Sequence, residues 1–87
     1  MKTSAFAAAL MLGTCTIAYA ADSLPAYVTA ALADPARAKD AADDARRHPG
    51  ELIAFSHVKP GDTVVDLIPG GGYWTRIFSQ IVGPTGH

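Results

Sequence analysis

The chain has 87 residues and a formal net charge of −1 at pH 7. This length allows at most one small domain, and the nearly balanced charge gives no indication of binding to nucleic acid or to an anionic membrane surface. Hydrophobic residues make up 49% of the chain. That share is normal for a globular protein, although an alanine-rich N-terminus inflates it here.

Residues 1–20 have the pattern of a secretory signal peptide. Lys2 provides the positive start, residues 5–18 are almost entirely apolar, and Ala18-Tyr19-Ala20 is a small-residue cleavage site. A membrane span needs roughly 20 apolar residues, so this run is too short to favour an anchor. We therefore expect cleavage after Ala20, export to the periplasm, and no membrane span in the mature chain.

Cys15 is the only cysteine of the chain. It lies inside the expected signal peptide and follows Leu12-Gly13-Thr14, a weak lipoprotein-like pattern that leaves lipid attachment as the less favoured alternative. Cleavage after Ala20 would leave a mature chain without cysteine, which excludes disulfides and thiol catalysis in that chain.

Residues 21–58 are expected to form a helical region. Ser23-Leu24-Pro25 suits the start of a first helix, because serine caps helix N-termini and proline is tolerated in the first turn. The apolar residues of this first helix are Tyr27, Val28, Ala31 and Leu32.

A second helix is expected to begin at Asp34-Pro35 and to end at Pro49-Gly50. Four alanines recur at i, i+3, i+4 and i+7 and predict its buried face, while Asp43 and Arg47 are spaced to pair across one turn. We interpret the dense charge on the rest of this helix as a solvated face. The four alanines are Ala38, Ala41, Ala42 and Ala45.

A third, more apolar helix is expected from Glu51 to Val58. Leu52 and Phe55 are expected to face inward, with Ile53 as a further candidate.

The sequence pattern changes at residue 59. Lys59-Pro60-Gly61-Asp62 predicts a type II turn, and residues 63–68 form a β-branched, apolar run typical of a strand buried in a parallel sheet. Pro69-Gly70-Gly71-Gly72 cannot continue that strand, and residues 73–82 return to helical periodicity. The predicted fold class is therefore α/β.

The predicted strand, glycine loop and helix form a unit that suits ligand binding. Glycines accept positive φ and expose the backbone without a Cβ, and the following helix turns its free N–H groups toward the same space. Gly70-x-Gly72-x-x-Thr75 meets the dinucleotide-binding pattern only in part, because Thr75 stands in place of the last glycine. The same residues would also suit a tight turn that binds no ligand.

Asp66 is the one charged residue in the predicted strand. A buried carboxylate is costly unless it is paired or faces a polar site. It either accepts hydrogen bonds from the loop amides as a structural device, or faces a ligand that carries an ammonium or hydroxyl group. The sequence leaves both alternatives open.

Residues 59–75 read Lys-Pro-Gly-Asp-Thr-Val-Val-Asp-Leu-Ile-Pro-Gly-Gly-Gly-Tyr-Trp-Thr and resemble the first motif of class I S-adenosylmethionine-dependent methyltransferases. More narrowly, the chain resembles a group of exported bacterial proteins described as predicted methyltransferases. That group carries an Arg-His-Pro segment upstream and a Val-Gly-Pro-x-Gly turn downstream, which here are residues 47–49 and 82–86. The resemblance is most specific over residues 46–86.

The resemblance implies a Rossmann-like sheet, methyl transfer as the reaction, and S-adenosylmethionine as the small-molecule cofactor. The cofactor-binding residues that it implies are Asp66, Pro69, Gly70, Gly71, Gly72 and Tyr73. The loop of the family usually reads Asp-x-Gly-x-Gly-x-Gly, and here Ile68 stands at the first of those glycines.

The second cofactor element of the family, an acidic residue that holds the ribose hydroxyls, would fall beyond His87. We therefore expect residues 59–87 to be the start of an incomplete cofactor-binding domain. We also expect residues 21–87 alone to fold poorly and to be inactive. Neither the methyl acceptor nor a catalytic residue is indicated.

The sequence leaves two alternatives to a methyltransferase open. One is a fragment of a nicotinamide or flavin dinucleotide-binding domain, and the other is a small exported binding or structural protein that oligomerises to cover its apolar strand. The three histidines, His48, His57 and His87, lack the spacing of a metal site. Ser56 and Ser79 have no evident base partner, which argues against a nucleophile.

Overall fold

The computed structural model describes residues 23–87. The expected signal peptide and Cys15 lie outside these residues. The described elements are helix α1 (Ala26–Leu32), two 3₁₀ turns (Pro35–Arg37 and Ala41–Asp43), helix α2 (Asp44–Arg47), helix α3 (Pro49–Ser56) and helix α4 (Tyr73–Val82). Helix α1 packs against both α3 and α4.

Helix α1 forms where the sequence predicts it. Val28 and Ala31 are buried and Tyr27 and Leu32 are half-buried, because residues three and four apart share one face of a helix. Pro25, rather than Ser23, precedes the first helical residue, and no side chain caps the helix.

The continuous second helix expected after Asp34-Pro35 is wrong, because this segment consists of two 3₁₀ turns and a single turn of α-helix. The Asp34 carboxylate starts the first turn by accepting a hydrogen bond from the Ala36 amide at 2.7 Å. The predicted alanine face is also wrong, since Ala38, Ala41, Ala42 and Ala45 are all exposed.

Charged residues take the inward positions of this segment, which contradicts the interpretation of its charge as a solvated face. Arg37 is 1% exposed and Asp40 is 9% exposed. Burying an alanine methyl removes little apolar area from water, whereas the long stem of Arg37 fills more space and its guanidinium finds partners. The predicted ion pair is confirmed, with Arg47 Nε 3.7 Å from Asp43 Oδ2.

Helix α3 begins at Pro49 instead of following a stop at Pro49-Gly50. His48, with a φ of 48°, adopts a left-handed conformation that ends α2 and turns the chain into α3. Ile53 is buried, which confirms it as an inward-facing residue, but Leu52 is half exposed and Phe55 is 83% exposed, so the prediction was wrong for these two residues. A Cβ at Gly50 would lie 2.5 Å from Leu24 Cδ1. Because Gly50 has no side chain, Leu24 and Leu32 can pack closely against the face of α3 formed by Pro49, Gly50 and Ile53.

The turn at residues 59–62 is confirmed as type II. Gly61 has a φ of 86°, and the Asp62 amide donates to the Lys59 carbonyl at 3.1 Å. The strand predicted at residues 63–68 is not present, because no strand occurs anywhere in residues 23–87. Of the predicted α/β fold, residues 23–87 therefore contain the helices and the glycine loop but no strand.

Helix α4 has the bounds expected from its periodicity and ends at Gly83, whose φ is 66°. Tyr73, Ile77 and Ile81 are buried, while Trp74 and Phe78 are half-buried beside them. The apolar core joins these residues to residues of α1 and α3, and its members are Val28, Ala31, Ile53, Tyr73, Ile77 and Ile81. Among residues 23–87, no helix has the length and apolar character needed to cross a membrane.

Candidate functional site

The segment before the glycine loop alternates in burial. Val64 and Asp66 are half-buried, whereas Thr63, Val65 and Leu67 are exposed, which is the period of two expected for extended backbone. Its start is held by the end of the chain, because the Val64 amide donates to the His87 carbonyl at 2.8 Å and the His87 amide donates to the Asp62 carbonyl at 3.1 Å. Within residues 23–87, this extended segment therefore leads into the loop without a neighbouring strand.

The glycine loop, residues 68–72, has positive φ at every second residue. The φ angles are 58° at Ile68, 56° at Gly70 and 84° at Gly72. Glycine adopts this region without penalty, but an isoleucine there is an outlier because its β-branched side chain crowds the backbone. Ile68 thus has the backbone conformation of a glycine position.

The loop leads directly into helix α4. The Gly72 amide donates to the Pro69 carbonyl at 2.9 Å, which closes a turn. The first N–H groups of a helix have no intrahelical partners, and no side chain caps those of α4. A Cβ at Gly70 or Gly71 would meet no atom within 4 Å, so open space lies beside the loop backbone.

This open space belongs to a cleft of about 380 Å³ between the glycine loop and the segment that follows α1. Its walls include Pro69, Gly70, Gly71, Tyr73 and Trp74 on the loop side, and Asp40, Asp43 and Arg47 on the other. The structure therefore brings together four of the six residues that the sequence implies for cofactor binding.

Asp66 lies apart from those four residues. It lines a second cleft of about 260 Å³ together with Thr75, Ser79 and His87. Its carboxylate accepts a hydrogen bond from the Thr75 hydroxyl on α4, so its partner is a helix side chain rather than a loop amide. The two clefts flank the first turn of α4, and the remaining predicted residue, Gly72, stands at the start of that turn.

Tyr73 is buried, and its hydroxyl donates to Asp44 Oδ1 at 2.5 Å. The guanidinium of Arg47 lies 4.4 Å from the centre of the tyrosine ring, and that of Arg37 lies 5.4 Å from it. Burial and the hydrogen bond to the Asp44 carboxylate raise the pKa of Tyr73 to about 12. The hydroxyl thus points to residues 34–47, which follow α1 and are called the N-terminal segment below, and it stays protonated at neutral pH.

Asp44 connects Tyr73 to Arg37. Arg37 Nη2 donates to Asp44 Oδ1 at 2.6 Å, and Arg37 Nη1 donates to the Leu32 carbonyl at 2.6 Å. Burial tends to raise the pKa of Asp44, but the hydrogen bonds from Arg37 and Tyr73 outweigh burial and lower it. The carboxylate is therefore ionised and neutralised by a buried arginine.

Asp40 forms an ion pair with Arg76 of α4, which is a second polar contact between this segment and α4 beside the hydrogen bond from Tyr73 to Asp44. Its two oxygens accept hydrogen bonds from Arg76 Nε at 2.6 Å and Arg76 Nη2 at 2.8 Å. The hydrogen bond from Arg76 lowers the pKa of Asp40, and the same bond raises the pKa of Arg76. The sequence analysis missed this cluster, although Arg37, Asp40 and Asp44 are spaced by three and four residues and would share one face of the helix predicted there.

Similarity to known proteins is confined to a short stretch. Over 35 residues the chain is 51% identical to the ubiquinone/menaquinone biosynthesis C-methyltransferase UbiE of Legionella pneumophila, in strains Lens, Paris and Corby. This stretch covers 40% of the chain but only 14% of the length of each relative. No protein-family model matches the chain, and no solved structure matches it. The chain thus has a partial likeness to a methyltransferase.

Proposed function

We propose that this chain supplies the cofactor-binding loop of an S-adenosylmethionine-dependent methyltransferase with a Rossmann-like fold. The observation that carries this proposal is the positive φ at residues 68, 70 and 72, where the family motif has glycines. The partial likeness to a C-methyltransferase supports the same conclusion.

The shape of the loop cleft suits a small organic cofactor. Its volume, about 380 Å³, lies within the range of roughly 300–1,000 Å³ found for ligand pockets. Gly70 and Gly71 leave their backbone open to that cleft, so a ligand can approach without meeting a side chain. The uncapped first turn of α4 offers N–H donors beside it.

When bound, S-adenosylmethionine supplies a methyl group activated by a positively charged sulfur. The loop backbone would hold the cofactor in the loop cleft. A cofactor that extends past the first turn of α4 into the second cleft would reach the Asp66 carboxylate, which would accept a hydrogen bond from one of its ammonium or hydroxyl groups. Such a transfer depends mainly on alignment of the acceptor with the methyl group in a pocket that excludes water.

Calorimetric titration of the full gene product with S-adenosylmethionine tests this function. We expect binding by the natural sequence, and a loss of about 10-fold or more in affinity for Asp66→Asn, because the acceptor keeps its shape but loses the negative charge that strengthens the hydrogen bond. Glu51→Gln makes the same chemical change on the exposed side of α3 and should bind like the natural sequence.

Failure of the natural sequence to bind S-adenosylmethionine would overturn the methyltransferase proposal. Binding of NAD or a flavin dinucleotide in its place would identify the dinucleotide-binding alternative. Equal affinity of Asp66→Asn and Glu51→Gln would remove Asp66 from the cofactor site while leaving the loop in it.

We further propose that residues 1–20 direct export to the periplasm. The charged start, apolar run and Ala18-Tyr19-Ala20 site support this proposal. The intact mass of the product in the periplasmic fraction of its native cell should correspond to an N-terminus at Ala21. A product that retains Met1–Ala20 and stays in the cytoplasm would contradict export.

A further inference from the structure

Arg76 contacts both walls of the loop cleft. It lies in the first turn of α4, and its Nε and Nη2 atoms donate to the two oxygens of Asp40 at 2.6 and 2.8 Å. The same Nη2 also donates to the Gly71 carbonyl at 3.0 Å. A planar guanidinium can satisfy a carboxylate and a carbonyl together, which a lysine ammonium on a flexible stem cannot reproduce.

The Asp40 end of this bridge is fixed in place. Asp40 is 9% exposed, and its backbone is held by a hydrogen bond from its own amide to the Arg37 carbonyl at 2.8 Å. Arg37 is itself buried against Asp44 and the Leu32 carbonyl. The guanidinium of Arg76 therefore has a rigid anchor in the N-terminal segment.

The Gly71 end has little other support. Residues 68–71 are exposed. Apart from the bond from Arg76 to Gly71, the loop is closed within the described residues by one hydrogen bond, from the Gly72 amide to the Pro69 carbonyl. Glycine-rich backbone loses more conformational freedom on ordering than other backbone. A contact that fixes the Gly71 carbonyl would thus reduce the number of conformations open to the loop.

The guanidinium of Arg76 also packs against Gly72. A Cβ at Gly72 would lie 2.9 Å from Arg76 Nη1, so the arginine head packs directly against the glycine. The absence of a side chain at this position lets Arg76 reach back to Gly71, which lies five residues earlier in the chain.

We propose that Arg76 is a positioning residue for the glycine loop: Asp40 holds its guanidinium, and the guanidinium holds the Gly71 carbonyl. The loop is then ordered before a ligand binds. The N-terminal segment contributes to the binding site through Asp40, which holds Arg76 in place. The effect on cofactor affinity rests on the proposed function, whereas the effect on loop order does not.

Amide hydrogen exchange of the ligand-free full gene product tests the ordering of the loop. In Arg76→Lys the charge beside Asp40 is kept and the planar fork is lost, so the loop amide that is hydrogen-bonded, that of Gly72 to the Pro69 carbonyl, should exchange about 5-fold faster or more. The amides of Ile77 and Ile81 in the core should keep their natural rate. Arg46→Lys, which changes an exposed arginine paired with Asp43 at 3.2 Å, is the matched control and should leave the loop unchanged.

Asp40→Asn should raise the exchange rate of the loop amide in the same way, because it weakens the hydrogen bonds that hold Arg76 without changing a residue of the loop. Unchanged loop exchange in both Arg76→Lys and Asp40→Asn would overturn the proposal. Equal acceleration of loop and core amides would also overturn it, because that pattern indicates a general loss of stability.

Cofactor titration of the same variants separates the two proposals. If the natural sequence binds S-adenosylmethionine, Arg76→Lys should bind it about 5-fold more weakly or worse, since part of the binding energy is then used to order the loop. If the natural sequence does not bind it, the proposed function fails while the exchange experiment still decides the role of Arg76.

Discussion

Replacing Ile68 with glycine should stabilise the protein, although it removes a large apolar side chain. Ile68 has a φ of 58° and is 88% exposed. Its side chain therefore contributes little burial while its backbone is held in a conformation that β-branched residues disfavour. Glycine removes the steric conflict between the side chain and the backbone.

Three contributions determine the size of this effect. The left-handed conformation costs a residue such as isoleucine about 1–3 kcal/mol. Against this relief, loss of the small buried part of the side chain costs about 0.3 kcal/mol, and the greater freedom of glycine in the unfolded chain costs about 0.5–1 kcal/mol. We expect a net increase of about 1 kcal/mol in the free energy of unfolding.

Urea unfolding of the full gene product measures this difference through the midpoint, with an unchanged dependence on urea concentration. Val65→Gly is the matched control, because Val65 is also β-branched and 82% exposed but does not have a positive φ. It should lower the free energy of unfolding by about 0.5–1 kcal/mol. Ile68→Ala keeps a Cβ and should recover only a small part of the gain. A midpoint for Ile68→Gly as low as that of Val65→Gly would refute the assigned backbone conformation.

Two further substitutions probe the junction between the loop and α4. Gly72→Ala should lower the free energy of unfolding by about 1–2 kcal/mol, because Gly72 has a φ of 84° and a Cβ there would approach Arg76, whereas Gly71→Ala has open space and should be neutral or slightly stabilising. Equal urea midpoints for these two variants would contradict the loop geometry. Tyr73→Phe should cost about 1.5–3 kcal/mol at neutral pH, since it removes a hydrogen bond to a carboxylate. The pKa of Tyr73 is raised from 10.0 to about 12, so this stabilisation is complete below pH 10 and is lost as the pH rises through 12. Unfolding measured across this range should therefore show a shallower alkaline loss in Tyr73→Phe, and identical slopes in the two proteins would argue against the buried hydroxyl.

Several features of the fold could be predicted from the sequence because they depend on residues within one or two turns of each other. The type II turn at residues 59–62 follows from the order of its proline and glycine. Helix α4 follows from its apolar periodicity and from Gly83 at its end. The ion pair between Asp43 and Arg47 follows from their spacing on one turn.

The buried face of each N-terminal element could not be predicted in the same way. Leu52 and Phe55 are large apolar residues like Ile53, yet Pro49, Gly50 and Ile53 face the core because the narrow side of α3 lets α1 approach closely. The apolar residues of a helix are those whose burial stabilises the fold, but the position of the neighbouring helix decides which face of the helix is covered.

For the candidate site, the sequence alone determined the type of unit, a glycine loop that opens a helix, and the residue types available to a ligand. Tertiary structure decided how these residues are supported. Asp40 and Arg76 are 36 residues apart in the chain, and this partly buried ion pair forms only because the packing of α4 brings Arg76 beside Asp40. The sequence therefore specifies the loop through local backbone preferences, whereas the contacts that order it depend on the helices packing into one core.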